Sequence, residues 1–127
     1  MDSPILVPIL ISLGAIPGAI CRYYLTLLCT RKFGDRFPYG TFLINLSGAF
    51  LIGFLSTLFQ EIGASPHLSL LVSVGFLGSY TTFSTYGLDT ANLFKAGRYK
   101  KAVLYWVGSP MLGFLSVVSG IFLARHL

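Results

Sequence analysis

The residues best equipped for chemistry in this chain are hydroxyls and amides, and they cluster. The run Gly75-Phe-Leu-Gly-Ser-Tyr-Thr-Thr-Phe-Ser-Thr-Tyr86 sets five Ser and Thr residues within the eight positions after Gly78. It lies inside a hydrophobic segment long enough to cross a membrane. Irregular backbone at that depth is tolerated only where it is buried in protein or lines a polar path. Gly75 and Gly78 weaken a helix, and the Thr-Thr-Phe-Ser-Thr run offers competing local hydrogen bonds. The expectation is a helix broken near its middle, with an unwound turn exposing backbone carbonyls. Such carbonyls are good ligands for a hard cation. Beyond the break, Phe83 and Tyr86 share one side of the resumed helix; ordinary packing accounts for such a pair as well as chemistry does. Asp89 is the one carboxylate placed inside a span, which makes it a functional candidate. Its nearness to Lys95 also allows an interfacial position.

Other polar residues sit at depth. Thr41 and Asn45 are i, i+4 neighbours and share a helix face. An amide facing lipid is costly, so Asn45 must find a partner, either on a neighbouring helix or in a passing anion. Tyr105, Ser109, Gly113 and Ser116 form one stripe, which reads as a packing seam or as a polar track. Pro110 removes the backbone donor from the carbonyl near Trp106 and should kink its helix. Arg22 is about 27 Å along the first helix from Pro4. There it either snorkels to the interface beside Tyr23 and Tyr24 or places positive charge at a pore mouth. Gly14 and Gly18 form a small-xxx-small pair suited to close helix approach, with Pro17 between them.

The elements that must position these groups are membrane spans. Of the 127 residues, 54% are hydrophobic and only 10% charged, and the mean hydropathy is +0.77. Soluble domains carry about 25% charged residues. A span needs about 20 mainly apolar residues. Four such runs fit, at about residues 4–29, 37–59, 66–94 and 102–124. The whole chain, 1–127, is then a single four-helix transmembrane unit, with no soluble domain and no removable signal peptide expected. Cys21 and Cys29 lie on one helix and are poorly placed for a disulfide; packing accounts for them. The net charge of +5 reflects topology rather than nucleic-acid binding. Arg31, Lys32, Arg36, Lys95, Arg98, Lys100 and Lys101 all fall on the side of the first and third connections. Arg125 stands alone on the other. The positive-inside rule puts the first and third connections in the cytoplasm and both termini outside.

No catalytic set is visible: there is no phosphate-binding glycine loop, no His/Cys metal cluster and no Ser with a base. A small proton-coupled multidrug-type exporter also has four short spans, but it needs a deep carboxylate in its first helix. Here the first span carries Arg22 and no acid. A structural subunit of a larger membrane complex remains compatible with the composition.

The motifs together resemble the Fluc (CrcB-like) fluoride channels over nearly the whole chain. They are Gly18-Ala-Ile-Cys-Arg22-Tyr23 in the first span and Gly40-Thr41-Phe-Leu-Ile-Asn45-Leu-Ser-Gly48 in the second. The third span carries Gly75-Phe-Leu-Gly78-Ser-Tyr-Thr81-Thr82-Phe83-Ser84-Thr85, and Ala96-Gly97-Arg98-Tyr99 lies in the last connection. The resemblance implies an all-α membrane protein that assembles as an antiparallel, dual-topology dimer in the plasma membrane. It implies passive, fluoride-selective export that confers fluoride resistance, with a structural, non-transported sodium ion at the dimer centre. The backbone carbonyls of Gly78 and Thr81 would hold that sodium. The fluoride pathway would include Asn45, Phe83, Tyr86, Thr41, Ser84, Thr85, Tyr105 and Ser109, with Arg22 near a vestibule.

Fluoride is strongly hydrated, and amide donors, hydroxyl donors and positive ring edges can replace part of its shell. The chain departs from the family pattern in carrying Tyr86 for the usual Phe, Gly113 for a Ser of the polar track, and Asp89 for the commoner Glu. A dual-topology homodimer also calls for balanced loop charges, and these are not balanced. A homodimer is the first expectation, and a heterodimer with an oppositely biased paralogue is the second.

Overall fold

The computed structural model describes residues 4–127. The chain is all helical, and four of its helical runs are long and apolar enough to cross a membrane. Helix α1 runs Leu6–Phe33 and α2 runs Tyr39–Ile62. The third span, Pro66–Lys95, is assembled from pieces. It comprises α3 (Pro66–Ser69), a wide π-helical stretch (Leu70–Leu77), α4 (Gly78–Tyr80) and α5 (Phe83–Lys95). Helix α6 runs Tyr99–Arg125 and passes through Pro110 without interruption.

Helix α1 continues past Cys29 because nothing stops it before Gly34. That glycine ends it with φ 83° and donates its N–H to the Thr30 carbonyl at 2.9 Å. Arg31 and Lys32 thus fall in the last turn, where cations complement the negative end of the helix. Helix α2 ends on Gly63 in a left-handed cap. Ser65 starts the third span by accepting from the His67 N–H at 3.2 Å, with Pro66 in the first turn. The connection between α1 and α2 lies beside the one between α5 and α6: Arg98 Nη1 donates to the Arg36 carbonyl at 2.7 Å. The two cation-rich connections therefore share one end of the bundle.

The helices pack chiefly as α2 on α6 and as α1 on the wide stretch of the third span. Both contacts depend on glycine. A Cβ at Gly14 would overlap the Leu71 carbonyl, and one at Gly18 would overlap the Phe76 carbonyl and Ser79 Oγ. The small-xxx-small pair in α1 is thus a site of backbone-to-backbone approach. Across the α2–α6 contact, Gly53 meets the Val117 carbonyl and Gly120 meets the Phe50 carbonyl in the same way. The stripe through Gly113 and Ser116 is not this seam. A Cβ at Gly113 would meet nothing within 4 Å, and Ser116 bonds its own helix at the Leu112 carbonyl.

Steric overlap with backbone cannot be relieved by a rotamer change. Replacing Gly14 or Gly120 with Ala is expected to cost about 1–3 kcal/mol or more. It should also reduce the monodisperse fraction on size-exclusion chromatography. Gly108→Ala, where a Cβ has open space, should leave the elution profile unchanged.

Candidate functional site

The third span breaks at Thr81 and Thr82, whose backbones are extended at φ −82°, ψ 157° and φ −150°, ψ 117°. The glycines do not make the break, contrary to the expectation from helix propensity. Gly78 is helical at φ −62°, ψ −37°. Gly75 serves packing, since a Cβ there would come within 2.6 Å of the Ile11 carbonyl oxygen. Side-chain competition for backbone groups is what stops the helix. Thr82 Oγ1 accepts from the Thr85 N–H at 3.2 Å and so caps the start of α5. Asn45 reaches across from α2 and clasps the same residue at two points. Its Oδ1 accepts from the Thr82 N–H at 2.8 Å, and its Nδ2 donates to the Thr82 carbonyl at 2.9 Å. The partner that a buried amide requires is therefore the break itself. Gly48 leaves the room: a Cβ there would overlap the Thr81 methyl.

These side-chain bonds redirect backbone donors. In a continuous helix the Thr82 N–H would reach the Gly78 carbonyl, and the Thr85 N–H would reach the Thr81 carbonyl. Both donors are taken, one by Asn45 and one by Thr82 Oγ1. The Thr81 N–H goes to the Leu77 carbonyl at 3.1 Å, which also accepts from Thr81 Oγ1 at 3.0 Å. The carbonyls of Gly78 and Thr81 are thus denied the donors a helix would supply. The neighbouring Ser79 carbonyl accepts instead from Arg22 Nε at 3.0 Å. Arg22 therefore turns inward to the open carboxyl end of a helix, where positive charge is favoured. Among the described residues no three or more His, Cys, Asp or Glu come together as metal ligands. A cation at this break would rely on carbonyl oxygens, and the residues present fit a hard ion.

Two recesses lie near the clasp, the first with a largely apolar lining around its polar groups. One, of about 300 Å³, is lined by Asn45, Gly48, Thr81, Thr82 and Phe83. Asn45 carries a second N–H, because one amide nitrogen provides two donors. Phe83 is 83% exposed. On the other side a recess of about 400 Å³ opens between the cation-rich connections and takes in Arg36, Arg98, Asp89, Thr85 and Thr41. It shares Thr26, Thr30, Thr41 and Thr85 with a third hollow that reaches Arg22 and Thr82. A line of threonines thus connects a charged mouth with the break. Asp89 belongs to this mouth, and the hydroxyls of Thr41 and Tyr105 lie beside it.

The aromatic pair divides between two surroundings. The ring centroids of Phe83 and Tyr86 are 5.6 Å apart, but Phe83 faces outward while Tyr86 is buried against Tyr105, 5.3 Å away. The Tyr86 hydroxyl donates to the Trp106 carbonyl. Tyr105 and Ser109 lie on one stripe of α6; the Ser109 hydroxyl is buried without a hydrogen-bond partner, and the Tyr105 hydroxyl is buried beside Asp89 and Thr41. Ser84 is exposed, with its Oγ 3.4 Å from Thr82 Oγ1. Thr85 Oγ1 accepts from Thr82 Oγ1 at 3.1 Å.

Sequence reasoning gives Thr82 no role of its own, yet it is clasped by Asn45 and caps α5. Its signal is a Thr opening a resumed helix. Two further ties have no clear signal in the sequence: Ser79, which donates to the Ala15 carbonyl at 2.8 Å, and the Ser47–Tyr80 hydroxyl pair at 2.9 Å. They tie the break to α1 and α2.

Residues 9–121 match the family model described as CrcB-like protein, Camphor Resistance (CrcB). The chain is 50% identical to the fluoride-specific ion channel FluC of Synechococcus sp. (strain JA-2-3B'a(2-13)) over 127 residues, covering 98% of each. It is 50% identical over 120 residues to the protein of that name from Trichormus variabilis, covering 93% of this chain and 88% of the relative. The Maridesulfovibrio salexigens protein of that name is 39% identical over 116 residues, with 91% and 92% covered.

Asn45→Ala would leave the Thr82 N–H and carbonyl without their partner, at about 1–3 kcal/mol for each buried group. Amide hydrogen exchange at Thr82 is expected to accelerate at least about tenfold. Exchange at the wild-type rate in that variant would remove the clasp.

Proposed function

The chain belongs to the CrcB-like family, and on that premise we propose that a pair of copies, set antiparallel, encloses paths by which fluoride leaves the cell. It is a multi-pass plasma-membrane ion channel, not an enzyme. Fluoride permeates passively, and its exit confers resistance. Hydrogen fluoride enters neutral and ionises inside, and the inside-negative potential then drives the anion out.

The observation that carries this reading is the clasped break. It puts the Asn45 amide and the Phe83 ring on one recess. The second N–H of Asn45 donates to the anion while the first holds Thr82. The Phe83 ring presents its positive edge. Thr41, Ser84, Thr85, Tyr105 and Ser109 supply hydroxyls that replace lost water. Arg22 draws anions toward a vestibule as it holds the Ser79 carbonyl.

A recess holding an amide and threonine hydroxyls cannot face lipid cheaply, which supports a second subunit against Phe83. Where the broken helices of two antiparallel copies cross, the Gly78 and Thr81 carbonyls of both would surround a sodium ion. That ion, structural and not transported, offsets the mutual repulsion of these dipoles. A homodimer is favoured. The charge bias of the connections makes a heterodimer with an oppositely oriented paralogue the second arrangement.

The purified chain in liposomes tests the assignment. Fluoride efflux should be robust with sodium present, and replacing sodium with a bulky organic cation should lower both flux and dimer stability. Efflux only after co-expression with a paralogue would replace the homodimer by the heterodimer, and none under either condition would refute the channel. Hydrogen bonds to charged groups are worth about 1.5–3 kcal/mol, or about 10- to 100-fold in rate. Phe83→Ile and Asn45→Ala should each reduce flux by at least about tenfold while the dimer persists.

A further inference from the structure

We propose that Tyr86 is a positioning residue for permeation: its hydroxyl caps the carbonyl that Pro110 leaves bare, and so keeps the Ser109 hydroxyl free to donate to a passing anion. The inference rests on the pathway assigned above.

Proline creates the need. Helix α6 continues through Pro110, which has no N–H to offer the carbonyl of Trp106 one turn earlier. A carbonyl at membrane depth must find another donor. The nearest in sequence is the hydroxyl of Ser109, since serine readily bonds back to a carbonyl three or four residues earlier in a helix. Ser109 does not do so. Its Oγ is buried without a partner, and the Trp106 carbonyl is met instead by the Tyr86 hydroxyl from α5.

The cap has two effects. The negative end of the Trp106 carbonyl is offset, so it does not repel an anion moving along α6. The hydroxyl of Ser109 also remains available, one turn from Tyr105 on a single stripe. Buried hydroxyls without partners are uncommon, and a transient anion gives this one an occupant. The Tyr86 ring is itself held still, with the Tyr105 and Phe83 rings 5.3 and 5.6 Å away. The hydroxyl of Tyr86 and the proline of α6 are thus matched to each other.

The test is fluoride efflux per dimer from liposomes, with the dimer fraction measured by size-exclusion chromatography. Tyr86→Phe keeps the ring and loses the cap; efflux should fall about tenfold with the dimer intact. Pro110→Ala returns a backbone N–H to Trp106 and should stay within about twofold of wild type. The double variant should match Pro110→Ala within about twofold, because the restored N–H makes the tyrosine hydroxyl unnecessary. Wild-type flux in Tyr86→Phe, or a double variant as slow as Tyr86→Phe, would overturn the proposal.

A second cycle serves if Pro110→Ala does not assemble. Ser109→Ala should cost less in the Tyr86→Phe background than in the wild-type one, because there the Ser109 hydroxyl is already turned to the Trp106 carbonyl; equal, additive losses would overturn the proposal. Phe83→Ile is run alongside. Loss there without loss in Tyr86→Phe leaves the pathway standing and removes the role of Tyr86. Loss in neither removes both.

Discussion

A polypeptide that unwinds inside a bilayer has no water to turn to, and every freed backbone group must be met by the protein itself. The Asn45–Thr82 clasp is how this chain meets that demand. One side chain pairs both backbone groups of the residue at the break. The same bond diverts the donor that would have closed the helix over Gly78. Stability and chemistry therefore come from a single act. The break is tolerable because its own N–H and carbonyl are satisfied, and useful because carbonyls just before it are not.

The clasp works only if α2 and the third span stand at a fixed separation. Glycines set it. Backbone oxygens of one helix lie where a side chain of the next would begin, at Gly14, Gly18, Gly53 and Gly120. Contacts between backbones leave no long side chains to adjust, so the frame is stiff where it meets the polar residues. In a lipid medium this close packing replaces the hydrophobic drive that holds soluble cores. The polar groups can then be held without a large buried interior of their own.

Much of this is legible in the sequence. The four spans follow from hydropathy, and the need of Asn45 for a partner follows from the cost of a bare amide in lipid. The close approach at Gly14 and Gly18 follows from their spacing. That the hydroxyl run breaks the helix follows from its competing hydrogen bonds, but the residue at which it breaks does not, because the glycines point earlier and the outcome also depends on an amide 37 positions away. The bare carbonyl near Trp106 follows from Pro110. Its donor does not, since Tyr86 lies on another helix and pairs with it only after α5 and α6 have packed. Local rules identify a group in need, and the identity of the group that answers is a property of the assembled bundle.

The wide stretch Leu70–Leu77 has a consequence for how this sequence can vary. A π-turn accommodates about one more residue than an α-turn, and each residue added to an α-helix rotates the remainder of that helix by about 100°. The stretch therefore acts as a phase adjuster between the anchored start of the span and the break. Its apolar side chains can be exchanged for others of their type with little effect on where Thr82 points, while Gly75 is held by its close approach to the Ile11 carbonyl. Deleting a single position, even one that touches nothing polar, would rotate Thr82 away from Asn45. Homologous chains should accordingly drift in composition across this stretch and hold its length constant.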